Sequence, residues 1–162
     1  MINKYLRTAV FEPTNPVGRN GMAVAHYIAG MAFSNVGLGV VHGMAHPMGS
    51  LFDIPHGVAN AMLLPTIMEF NAPVCLDKYV EIAKAMNAYK EGMTKEEAAK
   101  AACNAVRELA IEVGIPQHLT EIGIKEEDIP ALAEQAISDV CTPGNPREVS
   151  LEDIIELYKK VL

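Results

Sequence analysis

Residues 37–60, GLGVVHGMAHPMGSLFDIPHGVAN, hold three of the chain's five histidines, His42, His46 and His56. No lysine, arginine or glutamate lies among them. Imidazoles gathered in apolar surroundings point to a shared task, and histidine is the commonest metal ligand. His42 and His46 are four apart, which stacks two side chains on one helix face. His56 follows the break expected at Pro47 and Gly49, and two histidines on consecutive helices that fold back can also converge on one ion. Spacing does not choose between the pairs, and hydrogen-bonded core imidazoles explain each histidine about as well. A catalytic divalent ion takes three or four protein ligands, and imidazole with carboxylate suits iron(II) or zinc. Asp53, the nearest carboxylate, reads as a loop or helix-start acid beside Pro55. His26 and His118 stand alone and read as structural or surface residues. Neither a GxGxxG motif, a P-loop nor HExxH is present, and there is no GxSxG nucleophile elbow.

Outward from this stretch, the pattern is helical in both directions. Residues 2–11 form a helix with Tyr5, Leu6, Ala9 and Val10 as its apolar side. It lacks a Ser, Thr, Asp or Asn cap, and its abrupt start points to a preceding element. Residues 12–20 (EPTNPVGRN) are a loop, although Asn15 before Pro16 is also placed to cap a helix with proline in its first turn. Residues 21–34 are a buried helix, apolar nearly all round. Gly37 and Gly39 allow a bend before a helix over residues 40–46, and residues 50–54 turn the corner.

Pro55 suits the first turn of a helix over residues 56–70. A short amphipathic helix follows at residues 77–86. Thr94 and Glu97 have capping-box spacing and open a helix that runs to Val113, with Gly114 closing it. Residues 119–124 hold a helical turn. Residues 125–140 form a helix with Glu126, Glu127 and Asp128 in its first turn, where acids complement the dipole. Residues 141–149 (CTPGNPREV) are a turn-rich loop, and Ser150 with Asp153 caps the last helix, residues 151–161. Strand alternation is scarce. The expectation is a single all-α domain over residues 1–162, with seven or eight helices.

Length and composition agree. The 162 residues are half apolar and one-fifth charged, which is globular rather than disordered. The formal net charge is −7, and no basic run stands out, so nucleic acid is not an expected partner. Cys75, Cys103 and Cys141 are odd in number and widely spaced, which argues against a disulfide framework and fits a reducing, cytoplasmic compartment. From Arg19 to Asp53 there is no formal charge in between, long enough for a membrane span of about 20 residues. The His26, Ser34, Asn35, His42 and His46 side chains suit buried helices of a soluble core instead.

The segment MAFSNVGLGVVHGMAHPMGSLFDIPHGVANAMLLP, with its specific HxxxHPxGxxxxxPHG pattern, strongly resembles the metal-binding segment of the iron-containing (group III) alcohol dehydrogenases. YLRTAVFEPTNP and GIPQHL are also similar to that family, and CTPGNPREVSLEDIIELY is similar to its lactaldehyde reductase branch. The likeness covers essentially the whole chain. It implies a helical bundle like the C-terminal domain of dehydroquinate synthase-like and iron alcohol dehydrogenases.

By the same resemblance, His42 and His56 are the metal ligands from this part of the chain. His46 lies beside the nicotinamide in a catalytic and cofactor-binding role. Phe33 and Cys141 line the substrate cavity. Iron(II) or zinc and NAD(P) are the implied cofactors, and a small alcohol or diol and its aldehyde the substrate.

The family's N-terminal α/β domain, with its glycine-rich dinucleotide site, has no counterpart here. The DxxxH helix that supplies the other two metal ligands is likewise unmatched. Two neutral imidazoles give an ion neither charge compensation nor a full coordination sphere. The expectation is that this chain alone binds metal weakly and is inactive until completed by an N-terminal half, and that unburied apolar surface favours such a partner or a homo-oligomer. The competing expectation is a catalytically inert remnant or interaction domain.

Overall fold

The computed structural model describes residues 1–162. It contains eight α-helices joined by loops and short 3₁₀ turns, and no strand. The helices are α1 (Ile2–Phe11), α2 (Pro16–Val36), α3 (Val40–Phe52), α4 (His56–Asn71), α5 (Leu76–Ala85), α6 (Lys95–Glu112), α7 (Ile129–Ser138) and α8 (Leu151–Val161). The all-α expectation is met. No single helix is long and apolar enough to cross a membrane.

The chain divides into two compact units, residues 1–37 and 38–162. The first is a pair of packed helices, α1 and α2. The Asn15 side chain accepts the Val17 N–H at 2.9 Å, with Pro16 opening the helix. Helix α2 therefore begins five residues before the expected Gly21, and the capping reading of Asn15 is the one realised. Gly18 lets the helices approach, since a Cβ there would meet the backbone of Thr8 and Ala9. Of this unit only Gly18 and Ala25 are fully buried.

The second unit carries the main core, built by α3, α4, α7 and α8. Met44, Met48, Leu63, Ile67, Leu132 and Leu157 are almost wholly buried there. The Tyr158 hydroxyl, in the same core, donates to the Met44 carbonyl at 2.6 Å. A second cluster joins the end of α4 to α5 and α6, with Met68, Tyr79, Ala83 and Cys103 inside. The two capping boxes read from sequence both form. Thr94 and Glu97 open α6, and Ser150 and Asp153 open α8.

Two further boundaries differ from expectation. Pro47 and Gly49 do not interrupt α3, which continues to Phe52. Proline in a helix interior loses one hydrogen bond and costs about 3 kcal/mol. Helix α3 offsets this by burying Val40, Met44, Ala45, Pro47 and Met48 together. The segment expected as one helix over residues 125–140 splits into a 3₁₀ turn, Glu126–Asp128, and α7. Pro130 stands at the start of α7, where a missing N–H costs nothing.

The turn after α7 is fixed at several points. The Thr142 hydroxyl donates to the Ala136 carbonyl at 2.6 Å. A Cβ on Gly43 would run into Thr142 Oγ1, and one on Gly144 into the Leu38 carbonyl. Asn71 and Asn145 exchange amide hydrogen bonds of 2.9 and 2.8 Å. The Arg147 guanidinium covers the Phe70 ring and donates to the Phe70 carbonyl. The stretch CTPGN is thereby clamped onto the first half of α3 and the end of α4.

Candidate metal centre

His42 and His46 project from successive turns of α3, and His56 opens α4. The left-handed Asp53, which ends α3 with its N–H bonded to the Gly49 carbonyl, starts the turn between them. Its side chain is exposed, as a loop acid's should be. The turn folds α4 back against α3 and draws the three rings together. Centroid separations are 6.1 Å for His42–His46, 5.3 Å for His42–His56 and 5.4 Å for His46–His56.

Each ring has different surroundings. His42 is half-buried and makes no protein hydrogen bond through its ring. Burial, and after it the neighbouring His56 and His46, lower its pKa, with Asp139 opposing. A neutral imidazole with its one ring lone pair free is what a metal site requires. His56 is exposed, and the Asn60 amide nitrogen lies 3.0 Å from its Nε2 and 2.9 Å from its carbonyl oxygen. The other end of that amide, Asn60 Oδ1, is buried without a partner. His46 differs from both. Its Nδ1 lies 2.8 Å from Asp139 Oδ2.

Asp139 follows the last turn of α7, and its second oxygen, Oδ1, accepts the Cys141 N–H at 2.8 Å. Burial works to raise the Asp139 carboxyl. The Cys141 N–H, the His46 ring and the Cys141 thiol outweigh it and hold the carboxyl below its usual range. The Cys141 thiol is pushed up, by burial first and then by Asp139, and stays protonated.

The donor atoms of His46, Asp139 and Cys141 lie within 4.8 Å of one another. As a set they resemble a metal cage. The 2.8 Å contact between His46 and Asp139 already joins donor to acceptor, however.

The residues singled out in the sequence fall into two groups. His42, His46 and His56 come together, and Cys141 lies beside Asp139, which contacts His46. Phe33 lies on α2 in the N-terminal unit, 48% exposed. His26 and His118 are exposed. Asp139 escaped the sequence reading. It is 93 residues from His46, and only its place two residues before Cys141, ahead of CTPGN, marks it.

The fit to a divalent ion is partial. Convergent imidazoles, the unpartnered His42 ring and the orphaned Asn60 oxygen suit an iron(II) or zinc site. The only carboxylate shown at the cluster, Asp139, is committed to His46.

Comparison with known proteins agrees with this helical fold. Residues 1–162 match the Fe-containing alcohol dehydrogenase family, C-terminal, and the chain belongs to that family. It is 59% identical over 137 residues to lactaldehyde reductase of Escherichia coli strain K12, a match covering 85% of this chain and 36% of that protein. It is 42% identical over 160 residues to 1,3-propanediol dehydrogenase of Citrobacter freundii, covering 99% of this chain and 41% of that one. Among solved structures, 1,3-propanediol oxidoreductase superposes with a TM-score of 0.97 at 41% identity, over 99% of this chain and 42% of that chain. The chain thus spans about two-fifths of the length of the relatives it matches.

Proposed function

We propose that the chain is the helical metal-binding portion of an NAD(P)-dependent alcohol dehydrogenase that interconverts a small primary alcohol or diol and its aldehyde. The observation that carries this reading is the convergence of His42, His46 and His56 within 5.3–6.1 Å across the α3–α4 turn. The names of the relatives, lactaldehyde reductase and 1,3-propanediol dehydrogenase, support the substrate class.

His42 and His56 hold the divalent ion, iron(II) or zinc. When bound, the ion supplies Lewis-acid polarisation of the substrate oxygen. His46 lies on the cofactor side, where it helps to place the nicotinamide and accepts or relays a proton of the alcohol. The resemblance assigns Phe33 and Cys141 to the substrate cavity of the complete enzyme. The remaining metal ligands and the dinucleotide site come from outside residues 1–162, either from an N-terminal half or from a completing chain. Three free cysteines fit a cytoplasmic setting.

The apolar surface of α1 and α2 supports a partner. Val24, Tyr27, Ile28, Met31 and Phe33 are all exposed there, and patches of that kind mark interaction sites. The chain in isolation binds metal weakly and has no reductase activity.

The test is complementation. The purified chain is mixed with an N-terminal half from a family member, iron(II) is added, and NADH is followed with propanediol and lactaldehyde. Activity that is lost in His42→Ala and His56→Ala supports the proposal. A formed complex with no activity contradicts it and favours an inert helical remnant.

A further inference from the structure

We propose that Asp139 is a positioning residue for His46, holding its imidazole in the Nδ1–H tautomer so that Nε2 is presented as a bare hydrogen-bond acceptor. The Asp139 carboxylate is engaged at both oxygens. Its Oδ1 accepts the Cys141 N–H at 2.8 Å and its Oδ2 lies 2.8 Å from His46 Nδ1. An ionised carboxylate only accepts, so the proton of that second bond belongs to Nδ1. A neutral imidazole with its proton on Nδ1 has its lone pair on Nε2.

The carboxylate is not free to turn away. The Cys141 N–H fixes its rotation. The Asp139 N–H bonds to the Ala136 carbonyl, and the Thr142 hydroxyl caps the same carbonyl at 2.6 Å. Gly43, on α3 between His42 and His46, leaves the gap that Thr142 Oγ1 enters. The Asn71–Asn145 amide pair anchors the far end of the turn. The CTPGN turn is therefore a platform, and its consequence at the cluster is the orientation of one ring.

The chemical consequence rests on the reading that His46 faces the cofactor. A bare Nε2 receives an O–H or N–H donor from cofactor or substrate. The opposite tautomer would set a donor against a donor.

The experiment reads the tautomer directly. The metal-free, ¹⁵N-labelled chain is examined by two-bond ¹H–¹⁵N correlation at about pH 8.5, above the ordinary imidazole range. Five histidines keep the spectrum tractable, and His46→Gln identifies the signal. The wild-type ring is expected to show a protonated Nδ1 and an unprotonated Nε2. Asp139→Asn places an amide NH₂ against Nδ1 when its oxygen stays on the Cys141 N–H. That variant is expected to move His46 to the Nε2–H form, with His26 and His118 unchanged. A wild-type Nε2–H ring overturns the inference, and so does an Asp139→Asn spectrum that keeps the wild-type tautomer. If Asp139→Asn does not fold, the wild-type tautomer still decides. Either failure leaves metal binding by His42 and His56 standing, because that reading is tested by complementation and not by this spectrum.

Discussion

The two compact units use apolar side chains in opposite ways. In residues 38–162 they are inside, with Val40, Met44, Leu63 and Ile154 showing no exposure at all. In residues 1–37 they are largely outside, and eleven of the sixteen exposed large hydrophobics of the chain belong to this short stretch. Burial stabilises at roughly 25 cal/mol per Å² of apolar surface, so the stability of the chain resides in the second unit. The first has the composition of a core without the burial. The histidine cluster therefore takes its rigidity from α3 and α4 packed against α7 and α8.

The contrast in burial sets the size of the loss expected in each unit. Leu63→Ala, at a fully buried site on α4, should cost about 2–5 kcal/mol. Ile28→Ala, 46% exposed on α2, should change stability by no more than about 0.5 kcal/mol. Urea unfolding of the two variants measures both. Equal losses would mean that the N-terminal unit is as well buried as the second.

A smaller loss is expected inside the clamp. Gly43→Ala drives a Cβ toward Thr142 Oγ1 and to 3.3 Å from the Ala136 carbonyl. It should destabilise by about 1–3 kcal/mol. In a Thr142→Ala background that cost should shrink, because the obstructing hydroxyl is gone. A double-mutant cycle reads the coupling, and strict additivity would show that the close approach carries no strain.

Much of this architecture is legible in the residues themselves. Thr94 with Glu97 and Ser150 with Asp153 announce two helix starts because the cap is a local interaction. The histidine cluster is legible because His42 and His46 share one helix face and the turn to His56 is short. Pro47 misleads, since local propensity argues for a break and only the burial of α3 in a four-helix core overrides it. Asn15 is ambiguous for the opposite reason, as the same residues suit a loop and a cap. Asp139 is invisible because its partner lies on another helix, and no spacing rule connects positions 93 residues apart. The resemblance to the family supplies roles for His42, His46 and His56, but the carboxylate that orients His46 comes only from the fold.

The gentlest effect concerns pH. His42 is held below its ordinary pKa of 6.5 in the folded chain, by burial first and then by its histidine neighbours. The unfolded chain therefore binds a proton at this site before the folded chain does. Stability is unaffected above about pH 7.5 and declines as pH falls through the unfolded value near 6.5. His42→Gln should flatten that part of the stability–pH curve, measured by thermal unfolding between about pH 5 and pH 8. A curve with the same slope in the variant would place the proton uptake elsewhere.

The metal-ligand roles proposed for His42 and His56 remain the part of the reading most open to direct measurement. Their most direct test is cobalt(II) or zinc binding by the purified chain, followed calorimetrically for the wild type and for His42→Ala/His56→Ala. Weak binding to the wild type is expected, with no ion retained at unit occupancy after desalting and no detectable binding to the double variant. A tightly held ion at one per chain, or binding that survives the loss of both histidines, would contradict that expectation.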